Sequence, residues 1–125
     1  MRKVVRTDKA PQPVGPYSQA IVHNGTVYVA GQGPANVATG QTPATVAEQT
    51  RQVLLNIQAI LEAAGTSLSH AVRMGVFLKD RDDFAEMNAV YAEFFPNEPP
   101  ARTTVEAHPP ANIHVEIDCV AALPE

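Results

Sequence analysis

Prolines set the first limit on what this chain can fold into. Most of its 11 prolines gather at three places, residues 11 to 16, 96 to 100 and 109 to 110. Each ring fixes φ, removes a backbone N–H and pushes the preceding residue out of the helical region. No helix or central strand runs through such clusters, so the regular elements must fit the intervals between them. Apolar periodicity resumes directly after each cluster, which makes these segments stiff turns between elements.

Residues 2 to 6 read as a short strand with charged flanks. The stiff loop Pro11-Gln12-Pro13-Val14-Gly15-Pro16 then delivers Tyr17 and a strand over Ala20 to His23. Asn24-Gly25 predicts a two-residue hairpin into a second strand, Thr26 to Ala30, ending at the small residues Gly31-Gln32-Gly33-Pro34. Thr45-Val46-Ala47-Glu48 has the reciprocal capping pattern of a helix start. Apolar residues follow at 46, 53, 54, 57, 60, 61 and 64, with Gly65 as the stop. Val72 to Leu78 is apolar on both faces, the habit of a central strand covered on both sides. A second helix is predicted over about Asp82 to Phe95, with Phe84, Met87, Val90, Tyr91 and Phe94 on one side and Pro96 as its end. Asn88 borders that stripe, either as a flank amide bonded to a neighbouring loop or as an amide aimed into a site.

Pro99-Pro100 leads into Ala101-Arg102-Thr103-Thr104-Val105-Glu106, an alternating, β-branched strand beginning at Ala101. Arg102 therefore stands at a strand end behind a rigid lead-in. It is either a surface charge on an edge strand or a planar fork suited to a carboxylate or phosphate. The last strand, Ile113 to Ala122, puts Val115, Ile117, Cys119 and Ala121 on one face. That face reads as core and makes Cys119 a small buried hydrophobe. Glu116 and Asp118 share the other face, which fits a solvated surface, a site that holds water, or a subunit interface. Taken alone, strands 101 to 107 and 113 to 122 read as a hairpin closed around Pro109-Pro110. Hairpin, helix, strand, helix and two strands make an α/β or α+β class with both helices on one sheet.

With 125 residues the chain is expected to be one domain. Nine basic against 13 acidic side chains, with no Lys/Arg run, argue against nucleic-acid binding. One cysteine excludes an intrachain disulfide; with no signal-like segment and no run of ~20 apolar residues, a cytoplasmic protein is expected. The histidines at 23, 70, 108 and 114 have no metal-ligand spacing, and neither a dinucleotide nor a Walker pattern occurs. Tyr17, residues 30 to 33, Asn88, Arg102 and Glu116 are left as polar or small residues in unexpected settings. Together they point to a small anionic ligand held by one arginine beside a carboxylate.

Gly15-Pro16-Tyr17-Ser18-Gln19-Ala20, Gly31-Gln32, the segment Asp80 to Phe95 with Asn88, Pro100-Ala101-Arg102 through Val105-Glu106, and Val115-Glu116-Ile117 occur in one order and spacing. In combination they resemble the YjgF/RidA family, the reactive intermediate deaminases or 2-iminobutanoate/2-iminopropanoate deaminases. The resemblance spans essentially the whole chain. It implies an α+β, chorismate-mutase-like fold: a mixed sheet of about six strands, two helices on one face, and a homotrimer with clefts between subunits. It also implies that the last strand lies elsewhere in the sheet, not in a hairpin with strand 101 to 107. Arg102 matches the arginine that grips the substrate carboxylate, and Glu116 the glutamate that positions or activates water. Tyr17 and Asn88 match site-lining positions, and Gly31 the backbone that approaches the ligand. Ala30 stands where many members carry serine, and Thr104 where cysteine is common.

The implied reaction is hydrolysis of a 2-imino or enamine acid to a 2-oxo acid and ammonia, without metal or organic cofactor. Positioning alone lowers such a barrier by several kcal/mol, and a general base contributes typically ~10²–10⁴-fold. Two other functions stay open: an endoribonuclease, an activity attributed to some family members, and a non-catalytic trimer that binds small carboxylates.

Overall fold

The computed structural model describes residues 1–125. Its strands are β1 (Lys3–Val5), β2 (Ala20–His23), β3 (Thr26–Gln32), β4 (Ala71–Leu78), β5 (Ala101–Glu106) and β6 (Val115–Ala122). Two α-helices, α1 (Val46–Ala64) and α2 (Phe84–Phe94), lie on either side of β4 in sequence. The strands form one sheet in the order β1-β2-β3-β6-β4-β5, with β4 and β5 parallel and every other pair antiparallel.

Local chemistry accounts for the ends of the elements. Asn24 (φ 51°) and Gly25 (φ 76°) both adopt the left-handed backbone that a tight hairpin requires, and they join β2 to β3. Thr45 caps α1 by accepting from the Glu48 amide at 3.1 Å. The return bond from the Glu48 side chain is not made. Instead Glu86 of α2 accepts from the Ala47 amide at 2.9 Å, so an acid from the other helix serves this N-terminus. Gly65, at φ 94°, ends α1 by donating to Glu62 O while Thr66 N–H donates to Leu61 O. The second helix starts later than its apolar stripe suggests: Arg81–Asp83 form a 3₁₀ turn before Phe84.

The core lies between the helices and one face of the sheet. Val53, Leu54, Ile57, Ile60 and Leu61 of α1 are fully buried against Met74, Val76 and Leu78 of β4 and the Val115–Ala121 face of β6. Truncating one such leucine or isoleucine to alanine typically costs 2–5 kcal/mol, roughly, because the space only partly collapses. On β6 buried and partly open residues alternate along its whole length, as its parity predicts. Two expectations fail. β3 continues to Gln32 through a bulge between Val29 and Gln32, two residues beyond its expected end. The chain also covers only one face of β4: Arg73 is exposed and Phe77 is half-buried on the other.

The hairpin of the last two strands does not form. β6 pairs with β3 and β4, and β5 takes the outer edge beside β4. Helix α2 carries the chain from β4 back to a parallel β5, while β3 and β4, each antiparallel to β6, leave a slot that only a returning strand fills. The β5–β6 connection crosses the end of β4, where Ala107 N–H donates to Leu78 O (2.8 Å) and Lys79 N–H to His114 O (3.0 Å). No helix is long and apolar enough to cross a membrane.

Candidate active site

Arg102 is the second residue of β5 and pairs with Met74, a fully buried core residue, so its side chain leaves the sheet on the helix side. Its guanidinium lies over two rings of α2, 4.7 Å from the centroid of Tyr91 and 5.6 Å from that of Phe84. No carboxylate of the chain pairs with it; the ion pairs are Arg51–Glu93, Arg73–Asp118 and His114–Asp83. A cavity of about 350 Å³ opens beside it, lined by Asn88, Tyr91, Ala92, Phe95, Pro99 and Pro100 together with the arginine. Thr104 follows two residues along the same face of β5. Its Oγ1 and the Tyr91 hydroxyl are the buried side-chain polar atoms of the chain without a hydrogen-bond partner. Buried hydroxyls are normally paired; here one stands on β5 two residues from Arg102 and the other on α2 beneath its guanidinium. Burial pushes the Tyr91 hydroxyl up to about 12, and the Arg102 cation opposes that shift only in part.

Glu116 faces the opposite way. It alternates with the buried Val115 and Ile117, so its carboxylate lies on the open side of the sheet. There it rests against the backbone of Gly31; a Cβ at that glycine would run into Glu116 Oε2 and lie 3.1 Å from its Cδ. Only glycine leaves room for the carboxylate at this point. Burial, and secondarily the like charge of Asp118, raise the Glu116 carboxyl above its ordinary 4.5. Asp118 is tied to Arg73 at 4.0 Å, and Arg73 donates to Thr103 Oγ1 at 3.2 Å. A second cavity, about 370 Å³, holds Glu116, Gly31 and Tyr17 together with Val14, Pro110 and Ile113. Tyr17, 48% exposed, stands in its wall and its hydroxyl accepts from the Val14 amide at 3.3 Å. Ala30 lies on the open face beside them and presents only a methyl group.

Two buried amides hold the loops that shape this second cavity. Gln19 accepts from Thr7 N–H at 2.7 Å and donates to Thr7 O and Pro11 O, which folds the proline-rich loop back onto β2. Asn56 on α1 donates to Gly33 O at 3.0 Å and Ala35 O at 2.9 Å, which fixes the segment that leaves Gly31. Sequence reasoning misses both, although polar residues inside otherwise apolar stretches are a readable signal. The residues expected to form one site thus divide. Arg102, Asn88 and Thr104 belong to the helix side, whereas Tyr17, Ala30, Gly31 and Glu116 belong to the open side. Tyr91, on the apolar stripe of its helix, is a core residue as expected and also underlies the arginine, a second role that its spacing does not reveal.

The Cys119 thiol is pushed up to about 12 by burial and by Asp118, so it stays a protonated core group. No three His, Cys, Asp or Glu side chains converge where a metal ion could sit. What the two cavities offer is an unpaired guanidinium on one side and a carboxylate with an elevated pKa on the other.

Residues 7–123 match the family described as Endoribonuclease L-PSP. A RutC family protein of Pyrococcus horikoshii is 48% identical, covering 97% of this chain and 98% of its own. The 2-iminobutanoate/2-iminopropanoate deaminase of Escherichia coli K12 is 42% identical over 97% of this chain and 98% of its own. Among solved structures, E. coli TdcF with bound serine superposes with a TM-score of 0.93 at 36% identity, covering 98% of this chain and 99% of its own.

Proposed function

The chain belongs to the Endoribonuclease L-PSP family, the YjgF/Rid proteins, and from that membership we propose that it hydrolyses 2-imino acids to 2-oxo acids and ammonia. Arg102 binds the substrate carboxylate through the in-plane N–H groups of its guanidinium. A water held by Glu116 attacks the imine carbon and gives a proton to the carboxylate. That proton passes to the imine nitrogen to give the carbinolamine. The carboxylate then carries the hydroxyl proton to the same nitrogen, and the C–N bond breaks to release ammonia as the C=O of the 2-oxo acid forms. A carboxylate whose pKa is raised toward the working pH is a stronger base, and takes the proton of the attacking water more readily than an ordinary glutamate does. Asn88 and Thr104 line the carboxylate side, Tyr17 and Gly31 the water side, and Ala30 supplies no hydroxyl.

Because Arg102 and Glu116 face opposite sides of the sheet in one chain, each complete site takes its arginine group from one protomer and its glutamate group from the next. A homotrimer with sites between subunits meets this need, and it covers the second face of β4 as well. The observation that carries the proposal is the Arg102 guanidinium, oriented by two rings and unpaired with any carboxylate of its own chain.

The test is to generate 2-iminopropanoate or 2-iminobutanoate in a coupled assay and follow its decay with wild type and with Arg102→Ala. Faster decay with wild type, lost in the variant, is the expected result. Equal inertness of the two would refute the proposal. The missing hydroxyl at Ala30 favours a second reading, a trimer that binds small carboxylates without turning them over. Calorimetric binding of a carboxylate without any imine turnover would select it. Net charge −4 argues against RNA as the substrate.

A further inference from the structure

Taking Arg102 as the carboxylate grip proposed above, we propose that Tyr91, together with Phe84, is a positioning residue that serves Arg102 as an aromatic platform. An arginine side chain on an edge strand ordinarily samples many rotamers, and its charge seeks the nearest acid. Here the guanidinium lies 4.7 Å and 5.6 Å from two ring centroids, both inside the ~6 Å range of cation–π attraction. The two rings come from one face of α2, two turns apart, so the helix and β5 together fix the orientation of the charge.

Stacking suits this task better than an ion pair would. A ring holds the guanidinium through its flat face and leaves the N–H edges free, whereas a protein carboxylate would occupy the same edges that a ligand needs. The two rings differ in setting. Tyr91 is 6% exposed and forms the rigid floor, while Phe84 is 45% exposed and shields the charge from the solvent side. The Tyr91 hydroxyl makes no well-formed hydrogen bond, although it lies close enough to the Arg102 guanidinium to be influenced by it. The ring is the main contact Tyr91 offers, and phenylalanine in its place keeps that platform.

The experiment titrates pyruvate, the 2-oxo acid product of the smallest substrate, into wild type, Arg102→Ala, Tyr91→Phe, Tyr91→Leu, Phe84→Leu and the double variant Arg102→Ala/Tyr91→Leu by calorimetry. KM and kcat for imine turnover are measured beside it. Tyr91→Phe is expected to bind like wild type. Tyr91→Leu is expected to weaken pyruvate binding roughly 5- to 30-fold, the span of a partly desolvated cation–π contact, and Phe84→Leu less. KM should rise in proportion while kcat changes little, and the leucine should add nothing once Arg102 is already alanine. A role confined to packing would produce the reverse: additive losses and no selective change in KM. If Arg102→Ala itself binds pyruvate like wild type, the carboxylate grip falls and the platform with it. If Arg102→Ala loses binding while Tyr91→Leu and Phe84→Leu keep the wild-type Kd, the platform alone is refuted. Should Tyr91→Leu fail to fold, Phe84→Leu, at an exposed position, decides by the same criterion.

Discussion

Gly31→Ala separates the position of Glu116 from its presence. A methyl group at residue 31 collides with Glu116 Oε2 and lies 3.1 Å from Cδ and 3.4 Å from Cγ. All three atoms belong to one side chain, and no backbone stands in the way. Relief therefore comes by rotation of Glu116 away from the glycine, at about 0.5–1.5 kcal/mol for leaving its rotamer. A cost of that size lowers Tm by only a few degrees, about 2–8 °C for domains in this size range. On the role proposed for Glu116, catalysis suffers far more, because a base moved off its water forfeits a factor of roughly 10²–10⁴. The expected outcome is a folded protein with kcat reduced at least about 100-fold, close to that of Glu116→Gln. Gly75→Ala is the matched control: its methyl would meet Asp118 Oδ1 and lie 3.3 Å from Arg73 Nη1, on the same open face but away from the glutamate. It should cost similar stability and little turnover. Thermal unfolding and imine-decay rates on the three variants decide the matter. A Gly31→Ala protein with wild-type turnover would falsify the assigned place of Glu116, and a collapse in Tm would show that the collision is not absorbed by its side chain.

Asp118→Asn removes the like charge that, after burial, holds the Glu116 carboxyl high. A base acts only when deprotonated, so activity falls as pH drops through the raised pKa; the variant should carry this acidic limb of kcat/KM to lower pH. The sign for stability is opposite to that of a salt-bridged acid. With its folded pKa above the unfolded value, Glu116 opposes folding once ionised, and the penalty vanishes below the unfolded pKa. Asn56→Ala strips the donors from Gly33 O and Ala35 O and should cost about 1–3 kcal/mol by urea unfolding with an unchanged m-value. Faster amide exchange across residues 33 to 36 should accompany it.

What was legible in the sequence was what local chemistry decides. Asn24-Gly25 specified its turn, Thr45 and Gly65 bounded α1, and the two-residue period of residues 115 to 122 gave the buried face of β6. Which strand β6 would pair with was not legible, because parity names a face and not a neighbour, and the slot between β3 and β4 is a feature of the assembled sheet. The choice of face for Arg102 was hidden for the same reason. Its place at a strand start was readable, but the rings that hold it come from a helix ending some residues earlier. Tyr91 looked like any other apolar position of an amphipathic helix, and nothing in its spacing distinguishes a core ring from one that carries a charge. The bulge that extends β3 to Gln32 is likewise a tertiary product, fitted around the glutamate of another strand.

The opposite facings of Arg102 and Glu116 have a consequence for mixtures. On the proposed assembly, an Arg102→Ala chain and a Glu116→Gln chain are each dead alone, yet their lesions lie in different halves of the shared cleft. Unfolded together in equal amounts and allowed to reassemble at random, they should yield intact clefts at about one position in four, wherever a sound arginine meets a sound glutamate across a symmetric interface. Two silent proteins would then make an active one, and turnover would belong to the pairing of chains more than to either chain.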